Sequence, residues 1–171
     1  MNELIAKIEQ WANDRNIIKG SKPIDQAMKL FSEFGELSDN VGKGRDCRDD
    51  IGDVFVVLTI MAKQFDLNIN ESLVINNELC TTTFIKNNVV DLSRYLGTFV
   101  NCTEPQKYLT YCVRELDRLA QSLKYTLQEC VQIAYDDIKD RKGIMSNGVF
   151  IKESDPAYES IIKAIEVNCG E

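Results

Sequence analysis

The sequence predicts an all-α chain folded as a single domain. Apolar residues recur at the 3.6-residue helical period over long stretches, interrupted by only three prolines and nine glycines. A chain of 171 residues with 44% apolar content can bury one sizeable core.

The elements follow in order. A first helix is expected over about 3–16, where Leu4, Ile5, Ile8, Trp11 and Ala12 share one face. The segment from Lys19 to Lys22 breaks it, and Pro23 suits the first position of a second helix. That helix runs to about Val41, with Ala27, Leu30, Phe31, Phe34, Leu37 and Val41 as its inward stripe, and Gly42-Lys43-Gly44 ends it. A third covers about 47–66, with Ile51, Val54, Phe55, Leu58, Met61, Ala62 and Phe65 inward. Asn68-Ile69-Asn70-Glu71 resembles a capping box and predicts a short helix over about 70–79. Residues 80–90 are polar and expected to link. Helices are then expected over about 89–101 and from Pro105 to about Tyr125, followed by one that Thr126-Leu127-Gln128-Glu129 opens as a capping box. Past Asp140 lies a Gly-punctuated loop, 141–152, and a final helix is expected over about 156–167.

The two halves echo one another. Leu30, Gly35, Ile51, Val54 and Phe65 recur as Leu92, Gly97, Val113, Leu116 and Leu127, at a constant offset of 62. A degenerate internal duplication and a helical hairpin inserted after residue 79 both fit this pattern.

Composition narrows the chemistry. The formal charge of −7 argues against general affinity for polymeric nucleic acid, since no excess of Lys and Arg exists to neutralise phosphates. The opening Met1-Asn2-Glu3-Leu4 does not read as a signal peptide, and no apolar run nears the ~18 residues of a membrane helix. A cytoplasmic protein without membrane contact is expected. Histidine is absent, and the six cysteines form no Cys-x-x-Cys pair. Zinc sites of the usual kind and His-based catalysis are therefore nearly excluded. The cysteines are expected to serve as small core residues. Acid–base or metal chemistry must rest on carboxylates.

Two constellations stand out. Glu33 and Glu36, three residues apart, border the apolar stripe of the second helix, and Asp50 and Asp53, with Asp49 beside them, border that of the third. A short connection makes these helices antiparallel neighbours, so the acidic flanks can face each other. Four converging carboxylates call for a hard divalent cation, for which Mg²⁺ is suited and Mn²⁺ a substitute. Solvated acidic faces would give the same spacing. The second constellation is Lys139, Arg141, Lys142 and Lys152, in and around the 141–152 loop. It suits a clamp on phosphate. Capping of a helix C-terminus by cations would account for Lys139 and Arg141 but not for Lys152.

Together these residues resemble the MazG family. Lys29-Leu30-Phe31-Ser32-Glu33-Phe34-Gly35-Glu36 followed by Asp49-Asp50-Ile51-Gly52-Asp53 looks like that family's E-E-x-x-E…E-x-x-D signature. The segment from Ala134 to Glu153 is similar to the C-terminal loop of phage and Firmicute MazG-like proteins, and Trp11, Arg15, Gln26 and Lys29 fit them too. The resemblance spans about 1–79 and 124–155. Two positions depart from the signature: Ser32 stands where the family has Glu, and Asp50 where it has Glu.

The resemblance implies a helical bundle and a homodimer. It further implies Mg²⁺ held by Glu33, Glu36, Asp50 and Asp53, and Mg-dependent hydrolysis of a (d)NTP substrate to the monophosphate and pyrophosphate. Trp11, Gln26, Lys29, Lys139, Arg141, Lys142 and Lys152 would bind the substrate. Trp11 is expected either to stack on the base or to fill the core as an ordinary aromatic. The contrasting expectation is a non-catalytic helical module that binds nucleotide or metal, or a partner.

Overall fold

A computed structural model of the chain describes residues 1–73 and 85–168, and it is all-α apart from one small hairpin. Helix α1 spans Asn2–Asp14, the single turn α2 Ile17–Gly20, α3 Pro23–Lys43 and α4 Arg48–Gln64. A 3-10 turn at Ile69–Ser72 precedes α5 (Ile85–Asn101), α6 (Pro105–Ser122) and α7 (Leu127–Ile138). Strands β1 (Gly143–Ser146) and β2 (Val149–Lys152) follow, then α8 (Tyr158–Asn168).

Helix α4 is the axis of the molecule. Every residue from Val54 to Ala62 is buried, so the helix is apolar all round and its neighbours α1, α2, α3, α6 and α7 pack about it. Burying a Val, Leu, Ile or Phe side chain contributes on the order of 1.5–3 kcal/mol, which makes this run the main source of cohesion. Gly52 allows α7 to lie close: a Cβ there would stand 2.3 Å from the Cys130 carbonyl oxygen. Residues 85–122 are part of the same core. Leu92, Leu96, Phe99, Cys112 and Leu116 are buried within it, and Phe99 meets Phe65 edge to face at 5.6 Å.

Local chemistry explains most boundaries. Asp25 accepts the Lys22 backbone N–H at 2.8 Å and secures the start of α3, while Gly44 ends it with φ of 66°. The Thr126–Glu129 capping box forms in both directions, at 3.2 and 2.7 Å. The first expected helix is cut short at Asp14, because Asn16 adopts a left-handed conformation that turns the chain into α2. Of the helix expected over 70–79, the described residues show a 3-10 turn ending at Ser72; residues 74–79, and 80–84 of the expected linker, lie outside the described residues. The rest of that linker, from Ile85, is already α5, which starts earlier than expected.

The largest departure from expectation is the 141–152 loop, which folds into an antiparallel hairpin pairing Gly143 with Lys152 and Ser146 with Val149. Its two-residue turn is Asn147-Gly148, both at positive φ, as a type I′ turn requires. Backbone bonds from Met145 N–H to the Arg15 carbonyl, 2.8 Å, and from Gly148 N–H to the Gly20 carbonyl, 2.9 Å, fix the hairpin to the α1–α2 corner. Phe31 also departs from expectation: it lies on the outer face of α3 rather than in the core. Cys47, Cys112 and Cys130 are buried free thiols, as expected of small core residues, and burial pushes Cys47 up to about 11. No described helix is long and apolar enough to cross a membrane.

Candidate active site

Where α1, α3, α4 and the hairpin meet, they enclose a cleft of about 360 Å³. Trp11, Gln26, Lys29, Glu33, Asp53 and Arg141 all line it, drawn from four separate segments of the chain. Val56, Ile60, Met145 and Phe150 form its apolar wall. The lining thus combines charged and apolar side chains.

The carboxylates are brought together by the antiparallel α3–α4 hairpin. Glu33 is buried and ion-paired with Lys29 one turn earlier. Asp53 sits opposite, half-buried on α4. Its carboxyl is pushed up to about 7 by burial and by the negative charges of Glu33 and Asp49, against which Lys29 and Arg141 pull only weakly. Asp50 is likewise raised, first by burial and then by Asp49, Glu36 and Glu33, while a 2.8 Å hydrogen bond from the Asn40 amide restrains it. Glu36 is exposed and does not line the cleft; with Asp50 it stands toward the outer end of the acidic face.

These oxygens suit a hard divalent cation in kind, and their mutual repulsion is the stress such an ion would relieve. They do not, among the described residues, form a group of three or more ligands about one point. Mg²⁺ commonly takes one or two protein carboxylates and completes its octahedron with water and phosphate oxygens, so a pair such as Glu33 and Asp53 could hold one only together with such a ligand.

The basic constellation divides. Arg141 reaches the cleft and pairs with Asp137. Lys139 caps its own helix through Asp136 at 2.7 Å, Lys142 meets Glu153 at 3.4 Å, and neither they nor Lys152 line the cleft. Gln26 lines it but spends its amide on Ser21, 2.9 Å away, and so stiffens the α2–α3 corner. Trp11 packs against the core, and its Nε1 is buried without a hydrogen-bond partner. An orphaned donor of this kind costs about 1–3 kcal/mol, which a bound acceptor would recover.

Sequence reasoning missed how Arg141 is held. Arg15 donates from Nε to the Arg141 carbonyl at 2.6 Å, from Nη2 to the Lys139 carbonyl at 3.1 Å, and from Nη1 to the Trp11 carbonyl at 3.2 Å. Its guanidinium also lies 5.1 Å from the Trp11 ring centre. One side chain thus ties the aromatic wall to the basic segment. Its position four residues after Trp11 was the available signal.

Among the described residues the second half shows no equivalent acid cluster. Glu115, which corresponds to Asp53 at the offset of 62, is buried and neutralised by Arg118 at 2.9 Å and Arg114 at 3.7 Å.

Comparison with known proteins adds one relative. Over 66 residues the chain is 50% identical to an uncharacterized 18.2 kDa protein encoded in the rep-hol intergenic region of Haemophilus phage HP1 (strain HP1c1). The match covers 37% of this chain and only 40% of that protein's length. No family model matches the chain. No solved structure matches it either.

Proposed function

We propose that the chain hydrolyses a nucleoside triphosphate to its monophosphate and pyrophosphate, as its resemblance to the MazG family implies. The observation that carries this reading is one cleft whose lining brings Lys29, Arg141, Glu33 and Asp53 together with Trp11 and Phe150. A nucleoside triphosphate joins the same two characters, a polyanion and a stackable base.

Lys29 and Arg141 contact the phosphates, the latter through a fork geometry that suits bidentate binding. When bound, the divalent cation supplies charge neutralisation and a more acidic water. Glu33 and Asp53, with Glu36 and Asp50 at the outer end, are the residues that would hold it. In the reaction the water oxygen bonds to the α-phosphorus, the bond to the β-phosphate bridging oxygen breaks, and pyrophosphate leaves. With Glu33 and Asp53 engaged as ligands, the proton released in the step passes to solvent water.

A second reading, a binding module without turnover, is favoured by Ser32 at a signature position and by the exposed placement of Glu36. Incubation with a panel of dNTPs and Mg²⁺ separates the two. Pyrophosphate release, with label from ¹⁸O-water found in the monophosphate, is the expected result. Nucleotide binding without turnover would establish the module instead, and label in orthophosphate would move the cut to the γ-phosphate.

A further inference from the structure

Trp11, Lys29, Glu33 and Asp53 stand on α1, α3 and α4, and those helices fix their backbones. Arg141 has no such support. It lies between the end of α7 at Ile138 and the start of β1 at Gly143. Its side chain pairs with Asp137, but both partners are more than half exposed, so water and salt screen the pair. Something else must keep residues 139–142 against the cleft.

The three carbonyls that Arg15 reaches have a common origin. Trp11 belongs to the last turn of α1, Lys139 caps the end of α7, and Arg141 follows that cap. One guanidinium therefore closes two helix C-termini, where carbonyls lack partners within the helix and the helix dipoles favour a cation. Three of its nitrogens donate, in three directions, which a planar fork allows and the single nitrogen of a lysine does not. This task is separate from holding the hairpin. The hairpin hangs from the Arg15 and Gly20 carbonyls by backbone bonds, and neither involves the guanidinium. Loss of the side chain thus leaves the hairpin attached and frees residues 139–142.

We infer that Arg15 is a positioning residue: it caps α1 and α7 together and thereby presents the Arg141 guanidinium to the anionic part of the ligand. This rests on the reading of the cleft as a phosphate site. Arg15 acts through Arg141 and through the wall it braces at Trp11. Its guanidinium lies 5.1 Å from the centre of that ring, which is the only tryptophan in the chain, so indole emission reports on the contact.

Calorimetric titration with inorganic tripolyphosphate and with a dNTP, both with Mg²⁺, tests it, and pyrophosphate release from the dNTP gives KM and kcat alongside. The proteins are the full-length wild type, Arg15→Gln, Arg15→Lys, Arg141→Ala and the double variant Arg15→Gln/Arg141→Ala. Arg15→Gln and Arg15→Lys are each expected to weaken tripolyphosphate binding and raise KM by at least ~10-fold, as loss of an oriented, charge-assisted contact does. Both should shift the Trp11 emission. In the Arg141→Ala background, Arg15→Gln should add less than ~2-fold, because a residue that acts through another is not additive with it. Circular dichroism and thermal melts follow the fold of each variant. Should Arg15→Gln fail to fold, Arg15→Lys serves for the same comparison, alone and with Arg141→Ala. Effects of the two positions that add overturn the inference, and so does an Arg15→Lys protein with wild-type affinity and KM. A wild type that binds neither probe overturns the phosphate reading of the cleft and this inference with it. A wild type that binds both, beside an Arg15→Gln protein that binds them equally well, overturns the inference alone.

Discussion

At the scale of single residues, Asp53 joins stability to activity. Its carboxyl is raised to about 7, whereas an unfolded chain would hold it near the ordinary aspartate value. A carboxyl with a raised folded pKa favours the native state fully at acid pH and withdraws that support as pH climbs through about 7. The metal-free protein should therefore melt higher at pH 5 than at pH 8, insofar as this group dominates. Asp53→Asn should flatten that slope and raise the melting temperature at pH 8 by at least ~2 °C. The same variant should lower turnover by at least ~100-fold, because an anionic ligand is lost. Calorimetric melts at the two pH values, with a pyrophosphate assay, check both halves. An Asp53→Asn protein less stable at pH 8 would mean that burial and the neighbouring acids do not disfavour the charged group as stated.

Among the elements, α4 and α7 are set close by Gly52. Gly52→Ala would place a methyl 2.3 Å from the Cys130 carbonyl oxygen and 2.7 Å from the Ala134 Cβ. Overpacking at a backbone contact should cost about 1–3 kcal/mol, read as a lower urea midpoint at unchanged slope. Because Asp53 is the next residue, activity should fall with it. This glycine also shows where the sequence was readable. The long helices were legible because apolar spacing is a local property, and the Thr126–Glu129 and Pro23 signals marked their starts. The hairpin was written in Asn147-Gly148 all the same, but four-residue strands leave too short a pattern to outweigh a loop. Phe31 shows the other limit: spacing places a residue near an apolar stripe without saying which of two faces the core will take. In the candidate site, the acids of α3 and α4 were legible because a short connection forces them together. The choice of Arg141 over its basic neighbours was not, since it depends on Arg15, 126 residues away in sequence.

For the whole molecule, α1, α3, α4 and the segment after α7 of one chain line the cleft together. A homodimer, as the resemblance implies, is then expected to carry one such cleft in each copy. Mixing Asp53→Asn with Arg141→Ala protein under exchanging conditions should recover no more activity than the sum of the two alone. Recovery well above that sum would place Arg141 in the site of the other copy.

The placement of the acids on α4 has a further consequence, for motion. Asp49, Asp50 and Asp53 stand on the first two turns of the helix around which the others pack. The buried run from Val54 to Ala62 anchors that wall, with Asp53 at its edge. The opposite wall hangs from Arg15 and from two backbone bonds to the α1–α2 corner. If a ligand narrows the cleft, hydrogen exchange should therefore change first in the hairpin and last in the core of α4.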